Sequence, residues 1–177
     1  MSFVKLLFNF KLKYDFKTLL TKKLLMKKLT IIAITLFFSS SLIAQNYEND
    51  SVKQTIVDFF DAFHKQDTIK LKAMAKGNIN MQSISVNHEG KTRLDENDYS
   101  SFVKNIASIP NDKTFEEKIL GFDIKIDGNM ANAWTPYEFW FDGNFSHCGI
   151  NSFQLIKEDK TWKIIYLVDT RRKKCLF

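Results

Sequence analysis

The second half of the sequence contains four β-rich runs separated by short turns, and this pattern constrains the fold more than any other feature. The runs cover residues 115–126, 130–141, 145–157 and 161–170. The turns between them are Asp127-Gly128, Asp142-Gly143 and Glu158-Asp159-Lys160. Asp-Gly between strands is a strong hairpin signal, because both residues tolerate the positive φ of a tight turn. The pattern therefore predicts a meander of antiparallel strands.

Two helical segments precede the meander. Apolar residues recur at helical spacing after Ser51 and predict a first helix, with Ser51 and Gln54 forming a capping box at its start. The face that we expect to be buried consists of Val52, Ile56, Phe59, Phe60 and Phe63. Asp67 can cap a second, short helix that ends at Gly77.

A strand and a third helix complete the predicted order. Residues 79–86 read as a strand that ends at a turn over residues 88–90. Asn97 or Asp98 can cap a helix over residues 99–108, and Pro110 stops it. Helices segregated from an antiparallel sheet indicate an α+β domain, and a long curved sheet wrapped around them would leave a pocket.

The N-terminal part of the chain has the organisation of a secretory signal peptide over residues 26–44. Met26-Lys27-Lys28 is a basic start, residues 29–38 are apolar, and small residues lead to Ala44. The apolar run is shorter than the roughly 20 residues of a membrane-spanning helix. We therefore expect an exported domain, periplasmic or secreted, over residues 45–177, with no membrane anchor after cleavage. Residues 1–25 are an extension that either precedes the true start at Met26 or lengthens the basic part of the signal.

The net charge of the whole chain reflects this leader. The full sequence carries +6, but residues 1–44 contain eight lysines and one acidic residue. The remaining 133 residues have 18 basic and 19 acidic side chains, a net charge of −1. Binding to a phosphate backbone requires a basic patch, so we expect no nucleic-acid partner. A chain of this length is sufficient for one domain with a single core.

Three segments near the C-terminus resemble a known family. They are residues 147–155 (HCGINSFQL), 161–164 (TWKI) and 169–172 (DTRR). They are similar to the family named for lumazine binding, within the nuclear transport factor 2-like (SnoaL-like) superfamily. The resemblance implies a cone-shaped α+β fold, with a curved antiparallel sheet around N-terminal helices, a pocket at the open end and frequent dimers through the outer sheet face. It does not imply a function, because the superfamily contains both enzymes and binding domains.

Polar residues of the last two strands are the first candidates for chemistry. Asp169 and Arg171 share a face of their strand, because side chains two residues apart point the same way. If the preceding turn lies at residues 158–160, His147 is opposite residue 171 and can join them. The carboxylate would then orient the imidazole, and Arg171 would bind an anion. Alternatively, His147 is structural and the other two form a surface ion pair, and a register slip of one residue would reverse the faces.

The strand over residues 130–141 has aromatic side chains on both faces. Tyr137 and Phe139 share one face, and Trp134 and Trp140 share the other. We expect Tyr137 and Phe139 to line the pocket. Trp134 and Trp140 would then lie outside on a dimer surface, because large exposed apolar patches usually mark interfaces. The alternative is that both tryptophans belong to the core.

The sequence contains no motif for a metal or a cofactor, and we expect neither. His64, His88 and His147 lack the spacing of metal ligands, and there is no glycine-rich phosphate loop. Cys148 and Cys175 do not form a Cys-x-x-Cys pair. In an oxidising compartment they can form a disulfide if the C-terminal tail folds back, or they remain free thiols.

These observations favour a non-catalytic domain that binds a small, partly aromatic molecule or serves as a dimeric module. The expected ligand-binding residues are Tyr137, Phe139, His147, Asn151, Asp169 and Arg171. The alternative is an enzyme of the isomerase or dehydratase type, in which His147 and Asp169 form an acid–base pair and Tyr137 polarises a carbonyl group. A third hypothesis is a protein–protein module whose cone is filled by side chains.

Overall fold

The computed structural model describes residues 22–23, 25–28 and 47–176. Apart from six helical residues at 22–23 and 25–28, the N-terminal extension and the signal peptide lie outside the described residues. Residues 47–176 lie within one compact unit, Tyr47–Phe177. Within the described part of the chain, no helix is both long enough and apolar enough to span a bilayer.

Three helices belong to this unit. They are α1 (residues 47–64), α2 (Thr68–Met74) and α3 (Tyr99–Ala107). As predicted, Asp67 and Asp98 are N-caps. Their carboxylates accept hydrogen bonds from the backbone N–H groups of Lys70 and Ser101 at 2.9 and 2.8 Å. The capping box predicted at Ser51 is wrong, because helical residues extend back to at least residue 47. The second helix ends at Met74, before Gly77.

Within residues 47–176 the sheet has seven strands rather than the five that the sequence predicts. They are β1 (Asn80–Val86), β2 (Thr92–Asp98), β3 (Phe115–Ile119), β4 (Asp123–Asp127), β5 (Met130–Phe141), β6 (Asn144–Glu158) and β7 (Thr161–Arg171). The sequence pattern missed β2 because its run Thr-Arg-Leu-Asp-Glu-Asn-Asp does not alternate apolar and polar residues. The predicted strand over residues 115–126 is two strands, because the chain leaves the ladder at residues 120–122.

The strand order is β2-β1-β7-β6-β5-β3, with β4 also paired to β5. All neighbours are antiparallel except β1 and β7, which are parallel, so the sheet is mixed rather than wholly antiparallel. No hairpin fixes their relative direction, because these two strands are far apart in the sequence. The sheet is curved and open, and it packs on the helices in an α+β arrangement.

The core occupies part of the space between the helices and the sheet. The inward face of α1 buries Phe59, Phe60 and Phe63 as predicted, and the ring centroids of Phe59 and Phe153 on β6 lie 5.7 Å apart. Trp162 on β7 is also buried. Complete burial of one such side chain contributes roughly 1.5–3 kcal/mol, so these aromatic residues fix the helix on the sheet.

Candidate functional site

A cavity of about 510 Å³ lies between the helices and the sheet. The apolar part of the lining consists of Phe59, Phe60, Phe63, Met81, Phe102, Ile106, Phe139 and Leu167. The polar part of the lining consists of Ser83, Glu117, Tyr137, His147, Asn151, Asp169 and Arg171. Asp95, Glu96, Asn97 and Asn105 complete the lining. The cavity therefore offers an apolar surface and a set of hydrogen-bonding groups to the same ligand.

The structure brings all six sequence-predicted ligand residues to this cavity. Asn151 pairs with Asp169, and Cys148 pairs with Arg172, so His147 is level with residue 173 rather than residue 171. The displacement is two residues relative to the expected register, and an irregularity between Gln154 and Leu155 contributes to it. Because an even displacement preserves the face of a strand, the side chains still converge.

Asp169 is the centre of a hydrogen-bonded cluster in the polar part of the lining. Tyr137 Oη lies 3.0 Å from its Oδ2, Arg171 Nε donates to the same oxygen at 2.8 Å, and Ser83 Oγ donates to Oδ1. Burial raises the pKa of Tyr137 far above its usual range, so the hydroxyl keeps its proton and remains a donor. With three donors on one carboxylate, Asp169 organises the neighbouring side chains and has little capacity left for a ligand.

Glu117 reaches the cavity from β3. Its Oε1 accepts a hydrogen bond from Asn151 Nδ2 at 2.6 Å, and its backbone N–H donates to His64 Nε2 at 2.8 Å. Burial raises the pKa of Glu117 to about 8, and the charge of Asp169 acts in the same direction, whereas Asn151 and Arg171 oppose the shift. Glu117 therefore holds a proton at neutral pH and can donate it to a ligand or release it.

His147 is not part of a hydrogen-bonded pair with Asp169 in the described residues. Its Nδ1 lies 3.0 Å from Ser146 Oγ, and its ring packs on Tyr137 and Phe139 with centroid distances of 5.8 and 5.1 Å. Burial and the nearby charge of Arg171 lower the pKa of His147 to about 4. The imidazole is thus neutral at physiological pH and contributes an aromatic surface with one donor and one acceptor.

The sequence interpretation missed Glu117 and Ser83. Phe115, Glu117 and Ile119 are at alternate positions of β3 and face inward together. A charged residue between two inward-facing apolar residues is the sequence pattern that could have identified Glu117. Ser83 had no comparable signal, because it approaches Asp169 only through the parallel pairing of β1 with β7.

The C-terminal tail is fixed beside the site. Cys148 and Cys175 form a disulfide with their Cα atoms 5.8 Å apart, and Lys173 Nζ donates to the Ser146 carbonyl at 2.7 Å. Cys148 follows His147 directly, so the cross-link ties the tail to the strand that supplies one wall of the cavity. Among the described residues there is no cluster of three or more His, Cys, Asp or Glu placed to hold a metal ion.

Comparisons with known proteins assign the fold. The chain is similar to an NTF2-like protein of unknown function from Silicibacter pomeroyi (TM-score 0.53, 14% identity, 72% of this chain and 98% of that one). A candidate dehydratase of the NTF2-like family from Streptomyces avermitilis gives a TM-score of 0.54 at 10% identity over 73% of this chain and 99% of that one. The chain has the NTF2-like fold.

The NTF2-like architecture also extends to a protein with another described role. The β subunit of a candidate aromatic-ring-hydroxylating dioxygenase from Novosphingobium aromaticivorans matches with a TM-score of 0.61 at 10% identity, over 76% of this chain and 95% of that one. No family model matches the sequence, and no curated protein matches it. At these identities the likeness establishes the fold, and the function has to be argued from the cavity.

Proposed function

We propose that this NTF2-like domain binds a small, partly aromatic molecule in its cavity. The observation that carries the proposal is a single cavity whose lining combines aromatic rings with hydrogen-bonding side chains. A ligand with a flat apolar body would pack on Phe59, Phe63 and Phe102, and its polar groups would meet Glu117 and Asn151.

The volume of the cavity agrees with this class of ligand. Small-molecule sites generally enclose about 300–1,000 Å³, and the cavity of about 510 Å³ lies within that range. A protein–protein module with a filled cone would lack this space. The phenylalanines that line it pack in or against the core, which favours a site that is formed before a ligand arrives.

Probe binding with blocking variants tests the proposal. The probe is 1-naphthalenemethanol, a neutral fluorescent molecule with an aromatic body and one hydroxyl group. Two blocking variants place a large ring in the cavity: Met81→Trp, and Asn105→Trp at the exposed part of the lining. The control is Ile84→Trp, which alters the same strand as Met81 at a position outside the lining. We expect saturable binding to the wild type and to Ile84→Trp, and loss of binding in both blocking variants. Equal binding to all four proteins would contradict the proposal.

A second candidate function is acid–base catalysis of the dehydratase or isomerase type. The specific observation that favours it is the position of the Glu117 carboxyl, which lines the cavity and accepts a hydrogen bond from Asn151. Burial raises the pKa of Glu117 to about 8, and such a group can transfer a proton near neutral pH. Glu117 would be the proton carrier, because Asp169 is occupied by Ser83, Tyr137 and Arg171. If a retained molecule is isolated with the protein, incubation with fresh enzyme and mass spectrometry would show conversion, and Glu117→Gln would abolish it. An unchanged mass would favour simple binding.

We also propose that the domain is exported and forms a dimer through the outer face of β5. Trp134 is 48% exposed there, and the half-buried Trp140 ring has Lys118 Nζ 4.5 Å from its centroid. Sedimentation should give a dimer at micromolar concentration. Trp134→Ala should weaken it, whereas Ile69→Ala, at an exposed position on α2, should not. A wild-type monomer at high micromolar concentration would contradict this proposal.

A further inference from the structure

The basic and acidic side chains around the cavity are out of balance. Arg171 is the one Lys or Arg among the described residues of the lining, and its guanidinium is paired with Asp169. His147 adds no positive charge near neutral pH. An anionic ligand would therefore find no unpaired cation here, which differs from the anion-binding role that the sequence suggested for Arg171.

The acidic side chains of the lining outnumber its single arginine. Asp95 and Glu96 come from β2; Asp95 pairs with Arg93 at 2.6 Å, and Glu96 accepts a hydrogen bond from Gln82 at 2.6 Å. Glu117 is different, because the side chain that hydrogen-bonds to its carboxyl in the described part of the chain is the neutral amide of Asn151. The other titratable groups whose atoms or charges act on it are His64 on α1, Tyr137 on β5, and Asp169 and Arg171 on β7.

Among the described residues, no Lys or Arg side chain forms an ion pair with the Glu117 carboxyl, although a carboxylate in such surroundings normally has a cationic partner. A buried carboxylate is costly unless it is paired with a cation or well hydrogen-bonded, and the neighbouring Asp169 makes a second negative charge still less favourable. Without a ligand, the group avoids this cost by keeping its proton, and its pKa is about 8. A cation that entered the cavity would remove the cost.

The apolar part of the lining suits the same ligand. It includes the rings of Phe59, Phe63, Phe102 and Phe139. Aromatic rings accept an apolar body, and their electron-rich faces attract a positive charge. We propose that the cavity binds an organic cation, a protonated amine carried on an aromatic or bulky apolar body, whose ammonium group pairs with the Glu117 carboxylate. This inference rests on the proposed function, because it assigns the chemical class of the ligand in the same cavity.

Three naphthalene probes that differ in charge test the inference by calorimetric titration at pH 7. They are 1-naphthylmethylamine, which is protonated, 1-naphthalenemethanol, which is neutral, and 1-naphthoate, which is an anion. We expect the amine to bind at least about tenfold more tightly than the alcohol, since a charge-assisted hydrogen bond exceeds a neutral one by this order. The anion should bind more weakly than both. Glu117→Gln should bind the amine and the alcohol with similar affinity.

Proton release supplies a second measurement on the wild type alone. Because Glu117 is mainly protonated before binding, the amine should displace most of one proton at pH 7, seen as different heats in phosphate and Tris buffers. The alcohol should displace none. If Glu117→Gln does not fold, this measurement decides the question.

The outcomes separate the two proposals. Equal affinity for amine and alcohol, no proton release, or an amine preference that persists in folded Glu117→Gln would overturn the inference and leave the proposed binding function intact. If none of the probes binds the wild type, both proposals fail. Amine binding that survives in Met81→Trp and Asn105→Trp would place the amine elsewhere and would also overturn the inference.

Discussion

Gly149 shows how one residue controls the geometry of the site. It pairs with Tyr137 across β5 and β6, and a Cβ atom at this position would lie 1.7 Å from the Thr170 carbonyl oxygen and 3.0 Å from Tyr137 Cε1. The same carbonyl lies 3.0 Å from Tyr137 Oη, while the backbone N–H of Ile150 donates to Thr170 Oγ1 at 3.0 Å. The absence of a side chain therefore allows β7 to approach and position Asp169.

We expect Gly149→Ala to destabilise the domain. The new methyl group must displace backbone, which generally costs about 1–3 kcal/mol and sometimes more. Gly121→Ala is the matched control, because its Cβ would meet no atom within 4 Å, and the free energy of unfolding should change by less than about 1 kcal/mol. Urea denaturation measures both. Equal stability of the two variants would show that β6 and β7 are not packed as described.

The pKa of Glu117 predicts how stability depends on pH. Its folded-state value of about 8 lies above the ordinary value of 4.5, so the folded protein binds the proton more tightly than the unfolded chain. The resulting stabilisation is complete below about pH 4.5 and is lost as the pH rises through about 8. Denaturation of the wild type and Glu117→Gln across this range should show the wild type losing stability relative to the variant as the pH rises.

The comparison with Glu117→Gln also removes the effect of His64. Burial lowers the pKa of His64, so this group stabilises the protein above pH 6.5 and loses that contribution as the pH falls, opposite in direction to Glu117. Because both proteins contain His64, its contribution cancels in the difference. A difference that stays constant with pH would contradict the raised pKa of Glu117.

Among the helices and strands, the sequence predicted those that a local pattern of residues marks. Asp-Gly turns located β5 and β6, and helical spacing of phenylalanines located the buried face of α1. The polar strand β2 had no such signal, because it forms by pairing with β1. The parallel pairing of β1 with β7 joins residues about 85 positions apart, as in Met81 with Leu167, and local patterns do not determine such contacts. Ser83 was therefore missed, whereas Asp169 and Arg171 were found.

The disulfide ties the tail to β6, and we expect it to stabilise the domain. It joins residues 27 positions apart, for which the chain-entropy account gives roughly 3–4 kcal/mol. Dithiothreitol should lower the melting temperature of the wild type and leave Cys148→Ser/Cys175→Ser unchanged. A thiol assay on denatured, unreduced protein from the exported fraction should find no free thiols. Two free thiols per chain would contradict the pairing.

At the scale of the whole molecule, export would explain the distribution of charge along the chain. Residues 1–44 carry eight lysines and one acidic residue, whereas the remainder has a net charge of −1. N-terminal sequencing of material from the exported fraction should begin at or near Gln45. A mature chain that still begins at or before Met26 would contradict the signal-peptide prediction.

Native mass spectrometry of the domain purified from its own host tests whether the cavity holds a small organic ligand. We expect a species heavier than the polypeptide by the mass of one small molecule per chain, released by mild collisional activation. The added mass should be absent from Met81→Trp and present in Ile84→Trp. A wild-type spectrum with only the bare polypeptide mass, or an adduct that persists in Met81→Trp, would contradict the proposed binding function.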